Sequence, residues 1–320
     1  MNRLPGSEMV PLLRGTDLWK MYAARGMGRG QKTTAVGGVN IDLVAGKTLG
    51  LVGESGSGKT TLGRLLLRLT EPDRGSLAFE GESFEKLGKR KLRALRPKMQ
   101  MVFQSPYGSL NPRLTVGKAV EFSLLALKVP RKDRQARAAE AIRLVGLAPE
   151  ILSRYPHELS GGQAQRVGFA RAMVSRPRLI VADEVVSALD ASVQAEILAL
   201  LLDLRAQFDL AALFISHDLH VVRKVSDDIA VMCRGRIVEL APTNTLFEDA
   251  RHPYTRLLLA SRPGTGVHMT TNEREQQRRI LRREHEERGS RAELVEVMPG
   301  HLVEEGASRA EDLEVKSELS

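Results

Sequence analysis

Gly53-Glu54-Ser55-Gly56-Ser57-Gly58-Lys59-Thr60 is the stretch that decides the fold of this chain. It fits GxxxxGK(S/T) and stands between an apolar, strand-like run at 48–52 and a helical pattern at 60–69. A glycine-rich turn at such a junction exposes backbone N–H groups, and the positive end of the helix adds to their pull on an anion. Residues 53–60 and Thr61 are therefore expected to bind a nucleotide, with Lys59 reaching its terminal phosphates and Thr60 ligating magnesium. Taken alone, such a loop does not separate a kinase, a GTPase and a transporter ATPase.

Further along lies Leu159-Ser160-Gly161-Gly162-Gln163, just before a helical pattern that ends near Ser175. Ser160, Gly161 and Gly162 would present N–H groups and a hydroxyl to an anion at the positive end of that helix. The plainer alternative is an ordinary N-cap with a glycine turn. What weighs against it is the run Leu179-Ile180-Val181-Ala182-Asp183-Glu184, which brings two carboxylates to the end of an apolar strand. Asp183 is expected to orient magnesium, and Glu184 to accept a proton from an attacking water. His217 follows another apolar strand, at 212–216, and is expected to contact the γ-phosphate. Ser216-His217-Asp218 is no hydrolase triad, because triad members meet in space rather than in adjacent positions.

Around these segments the order of patterns is that of an α/β protein. Strand-like stretches at 10–22 and 35–43 flank a Gly/Arg-rich loop at 25–30 and look like an antiparallel lead-in. Short strands are expected at 75–79 and 98–104, the latter ending on Gln104. Residues 116–175 have helical periodicity punctuated by Pro130, Pro149 and Pro156. After 179 the chain alternates strand and helix, with helices at 192–207 and 219–225 and strands at 212–215, 229–233 and 236–239, which implies a mostly parallel sheet. Beyond Arg251 the pattern loosens, and the charge-dense run 272–288 reads as an exposed helix or disorder.

Composition sets the outer bounds. At 320 residues the chain can bury one full α/β core plus an appendage. Only 4% of residues are aromatic, which argues against stacking-based recognition of single-stranded nucleic acid. The net charge is +9, yet residues 265–320 carry nine Lys/Arg against thirteen Asp/Glu, so the basic part is the body. That surface could face nucleotide, anionic lipid or nucleic acid, or be simply solvated. Cys233, the single cysteine, sits in an apolar run and reads as a small buried hydrophobe. No signal-peptide core precedes residue 16 and no run approaches the ~18 apolar residues of a bilayer span, so the expectation is a cytosolic chain.

With these residues in hand, residues 8–262 resemble the ATP-binding subunits of ABC transporters. Residues 53–60 resemble the family's Walker A, Gln104 its Q-loop, 159–163 its signature, 180–184 its Walker B, Ser187-Ala188-Leu189-Asp190 its D-loop and His217 its switch histidine. Within the family, 50–64, 103–112 and Arg251-His252-Pro253-Tyr254 onward to Leu259 are similar to the dipeptide/oligopeptide and nickel importers. The resemblance implies an α/β P-loop cassette at 8–250, with an antiparallel β subdomain and a helical insertion at about 105–175. A C-terminal extension at 251–320 would end in a disordered acidic tail from Glu304 onward. It further implies that Tyr22 stacks on adenine, the alternative being a core tyrosine, and that Gln104 senses magnesium and the γ-phosphate. Two subunits, identical or not, would close head to tail so that each ATP lies between one chain's Walker A and the other's signature. Membrane permease subunits and, indirectly, an external solute-binding protein would complete an importer at the cytoplasmic face of the membrane, with no nucleic acid expected.

Two departures from the family pattern stand out. Val185-Val186 replaces the usual Pro-Thr after the catalytic glutamate, which restores a backbone N–H, frees φ and removes a hydroxyl. The extension from 263 onward has none of the cysteines common in this branch, so no metal cluster is expected there. The competing class is a soluble ABC-type ATPase in a nucleic-acid or multi-enzyme complex. Such proteins usually carry two cassettes or a long coiled-coil insertion, and this chain has one cassette with an insertion of ordinary length.

Overall fold

A computed structural model describes residues 10–23, 32–260 and 293–305, together with Gln276 and Arg279. In chain order its elements are β1 (Leu13–Ala23), β2 (Lys32–Leu43), β3 (Thr48–Val52), α1 (Lys59–Leu66), β4 (Arg74–Phe79), β5 (Glu82–Ser83) and α2 (Lys89–Leu95). Then come β6 (Met99–Val102), α3 (Pro106–Ser109), α4 (Val116–Ala126), α5 (Arg131–Leu144), α6 (Gly161–Met173), β7 (Leu179–Asp183) and α7 (Ala191–Phe208). The chain continues through β8 (Ala211–Ser216), α8 (Leu219–Val225), β9 (Asp228–Cys233), β10 (Arg236–Pro242), α9 (Thr243–Glu248) and α10 (Pro253–Ala260). It closes with β11 (Leu294–Met298) and β12 (His301–Glu304).

Two sheets result. The antiparallel one runs β2-β1-β4-β5, and the larger one runs β11-β12-β10-β9-β3-β8-β7-β6, parallel from β9 to β6. The parallel strands are buried on both faces, which is why they read in sequence as continuous apolar runs. Leu179 and Val181 of β7 enter a core shared with the antiparallel sheet and α1, whereas Ile180 and Ala182 enter a second core under the helices. That is the period of two expected of a strand between two layers.

Several boundaries differ from those read in the sequence. The strand expected at 98–104 ends at Val102, because Ser105 turns the chain into α3 by accepting a hydrogen bond from the Gly108 N–H, with Pro106 next to it. The helix after the phosphate loop ends at Leu66, and Arg68 in the left-handed region (φ 55°) closes it. Beyond Arg251, where the pattern loosens, α10 is a regular helix and β11–β12 a hairpin added to the main sheet through β10. Glu304 is accordingly a buried residue of β12 rather than the start of a disordered tail. Residues 306–320 lie outside the described residues, as does the run 272–288 apart from Gln276 and Arg279. Cys233 is only partly buried against the core, and burial still pushes its thiol up to about 12.

Buried charge ties this C-terminal part down. Glu239 of β10, wholly inaccessible, accepts from the Arg251 and His252 N–H groups (2.7 and 3.1 Å) and lies 2.7 Å from His301 Nε2. Arg236 donates to Glu304 across 3.1 Å. Among the described residues no helix is long and apolar enough to cross a membrane.

Candidate functional site

The register of the parallel strands lines up the chemistry. Val52 lies opposite Ser216, Ile215 opposite Asp183 and Ala182 opposite Val102. Gly53, His217, Glu184 and Gln104 therefore leave the sheet at one edge, the carboxyl ends of adjacent strands, where ligands of open α/β sheets collect.

The phosphate loop is held from several sides. A Cβ on Gly53 would lie 2.1 Å from the Met232 carbonyl oxygen, and one on Gly58 2.1 Å from that of Ala35, so both positions need glycine for close approach. Gly235, in the turn between β9 and β10, donates its N–H to the Ser57 carbonyl at 2.8 Å. Lys59 is buried and donates from Nζ to the Gly53 and Glu54 carbonyls, each at 2.8 Å. Desolvation pulls its pKa down, while Glu184, Asp183 and Glu54 oppose that shift. The Ser57 hydroxyl is buried with no hydrogen-bond partner among the described residues. A caged ammonium and an orphaned hydroxyl in one glycine-rich loop fit a phosphate group.

Across the loop, Thr60 Oγ1 donates to Asp183 Oδ1 at 3.0 Å. Burial raises the Asp183 pKa, the Thr60 hydrogen bond opposes it, and the neighbouring Glu184 adds to the rise. Glu184 itself takes φ 48°, rare for a residue with a side chain, and is fixed by its N–H to the Ile215 carbonyl at 2.9 Å. Its two carboxylate oxygens are approached separately. Gln104 Nε2 donates to one at 2.9 Å, and His217 Nδ1 stands 3.6 Å from the other. The structure thus brings together residues 53–60, Gln104, Asp183, Glu184 and His217.

The signature residues stand elsewhere. Ser160 caps α6 in a capping box with Gln163, its hydroxyl accepting from the Gln163 N–H at 3.2 Å. Gly162 faces α7, where a Cβ would meet Val193 Cγ1 at 2.7 Å. The Tyr107 hydroxyl donates to the Leu159 carbonyl at 2.7 Å, linking the segment after Gln104 to this helix start. Ser187 donates to the Glu184 carbonyl at 3.0 Å, and Asp190 caps α7 by accepting from the Ser192 and Val193 N–H groups. Ala188 and Leu189 complete that turn, Leu189 lying 3.5 Å from a Cβ on Gly161. Tyr22 is no core residue: it is 44% exposed near the end of β1, with Lys20 Nζ 5.8 Å from its ring centroid.

The ABC transporter family model matches residues 36–187, and a model of the oligopeptide/dipeptide transporter C-terminal region matches residues 238–289. The di/tripeptide transport ATP-binding protein DppF of Pseudomonas aeruginosa is 47% identical over 258 residues, 80% of this chain and 80% of its own length. The chain belongs to the ABC transporter ATP-binding family. The probable peptide ABC transporter ATP-binding protein y4tS of Sinorhizobium fredii is 52% identical over 230 residues, which are 72% of this chain and 65% of that protein. Among solved structures, the ATP-binding cassette MJ0796, a dimer in a post-hydrolysis state with ADP and phosphate, aligns with a TM-score of 0.65 at 28% identity. That alignment covers 72% of this chain and 98% of MJ0796.

For an ABC cassette, one contact here lay outside the sequence reading. The Glu54 N–H donates to the Tyr254 hydroxyl at 3.0 Å, across 200 positions of sequence. Tyr254 belongs to the run 251–259 that is similar to the dipeptide/oligopeptide importers, and nothing in its spacing points to the phosphate loop.

Proposed function

We propose that this chain is the ATP-hydrolysing, energy-coupling subunit of an ABC importer for peptides or related small solutes. The observation that carries the proposal is the cluster at one sheet edge: a caged Lys59, the Thr60–Asp183 pair, and Glu184 held between Gln104 and His217. Peptide-type solutes are favoured by the names of the relatives and by the match at 238–289.

The roles follow from position. The loop N–H groups and Lys59 bind the phosphates, Lys59 keeping its bonds to the loop carbonyls and turning its third N–H toward the phosphate oxygens. Glu184 takes a proton from the attacking water, with His217 at its edge orienting the γ-phosphate. Magnesium held by Thr60, Asp183 and Gln104 would neutralise charge developing on the phosphate oxygens. Ser160, Gly161, Gly162 and Gln163 serve the nucleotide of a second subunit, because they open a different helix from the one that follows the loop. ATP bound across two such chains favours the closed pair, since it contacts both faces only there. The partners are a second ATP-binding subunit, permease subunits at the cytoplasmic face of the membrane and, through them, an external solute-binding protein. Tyr22, exposed on the antiparallel sheet, stacks on the adenine.

Glu184→Gln tests the assignment. It should bind ATP with unchanged affinity, hydrolyse it at least about a hundredfold more slowly, and accumulate an ATP-bound pair of cassettes. Unchanged hydrolysis would sink the role of Glu184.

A further inference from the structure

The peptide unit between Gly53 and Glu54 is gripped at both ends. Its carbonyl oxygen accepts from Lys59 Nζ at 2.8 Å, and its N–H donates to the Tyr254 hydroxyl at 3.0 Å. Rotation of that plane would move the oxygen that orients the Lys59 ammonium and break the bond to Tyr254 together. Tyr254 is itself fixed: it is 5% exposed, and its N–H donates to Nδ1 of His252 at 3.1 Å. The His252 N–H in turn donates to the wholly buried Glu239. A chain of buried contacts thus runs from β10 through the start of α10 to the phosphate loop.

We infer that Tyr254 is a positioning residue for nucleotide binding, acting on Lys59 through the Gly53–Glu54 peptide. The C-terminal segment 251–260 is then part of the nucleotide site's support. A hydroxyl acceptor suits this position, because the loop N–H is partly buried and loss of the hydroxyl removes the acceptor that meets it. The ring supplies a rigid arm, with few torsions to disorder the acceptor.

The inference rests on residues 53–61 being the nucleotide loop, so the experiment carries its own control. Fluorescent-nucleotide titration would compare wild type, Tyr254→Phe and Leu257→Ala, alongside the thermal midpoint of each without nucleotide. Leu257 is a buried residue of the same helix. Tyr254→Phe should weaken ATP and ADP binding about three- to tenfold while its midpoint stays near wild type. Under steady-state assay the loss should appear in KM rather than kcat, because Glu184 is untouched. Leu257→Ala should lower the midpoint and keep nucleotide affinity. Wild-type affinity in Tyr254→Phe overturns the inference, as does an equal loss of affinity in Leu257→Ala, which would make the effect one of general stability. A wild-type chain that binds no ATP would instead overturn the nucleotide site itself.

Discussion

Glu184 occupies a left-handed backbone conformation, and the two residues after it bear on how firmly it is held. Val185 and Val186 are buried in the helical core, so apolar packing fixes a turn that the family usually fixes with Pro-Thr. Replacing both, Val185→Pro with Val186→Thr, exchanges one constraint for another and should change ATP turnover by less than about tenfold in steady-state assays. A larger gain would show that the native turn slows hydrolysis. Asp183 gives a pH signature. Its pKa is raised in the fold by burial, so the folded state holds its proton more tightly than the unfolded chain. Stability contributed by the protonated form is present below the unfolded value and is lost as pH rises through the raised one. At neutral pH the buried carboxylate is a net cost. Asp183→Asn keeps an acceptor for Thr60 and removes the charge, so its nucleotide-free thermal midpoint should exceed wild type at pH 7, and the gap should close as pH falls toward the carboxylate range. ATPase activity of that variant should drop at least about a hundredfold. These residues were legible in sequence because each ends or follows a continuous apolar strand. Tyr254 was not, since a side-chain contact to a backbone N–H leaves no spacing to read.

At the scale of elements, most strands and helices from 48 to 242 were legible because strands buried on both faces read as unbroken apolar runs, bounded by turns and caps, whereas the short elements β5, α2 and α3 were not read. The hairpin β11–β12 was not. Its first strand leaves Val295, Val297 and Met298 exposed, while the second buries His301 and Glu304, so the polarity pattern runs against the burial. What holds it is the buried charge around Glu239, whose loss strands two backbone donors and a histidine. Glu239→Ala should therefore cost about 3–5 kcal/mol, visible as a thermal midpoint lower by roughly 6–15 °C. A midpoint within about 2 °C of wild type would mean that the hairpin is held by its apolar contacts, Leu302 and Val303, instead.

At the scale of the whole molecule, the loop and the signature open different helices, α1 and α6, and one chain alone holds only half of each proposed site. Gly161→Asp places a carboxylate at the positive end of α6, where a phosphate of the partner's nucleotide would lie. The Cβ has room there, 3.5 Å from Leu189. ATP affinity of the isolated chain should stay within about twofold of wild type, while hydrolysis by the paired cassettes falls at least about a hundredfold. Loss of affinity in the isolated chain would place the signature in the same site as its own loop. The order of motifs made this division legible, but which molecules complete the assembly is written in other chains. The most direct measurement is to purify the tagged protein from gently solubilised membranes of its native host and identify its companions by mass spectrometry. Recovery with permease subunits and a second ATP-binding subunit is the expected result. Recovery only from the soluble fraction, with enzymes or nucleic acid, would contradict the importer.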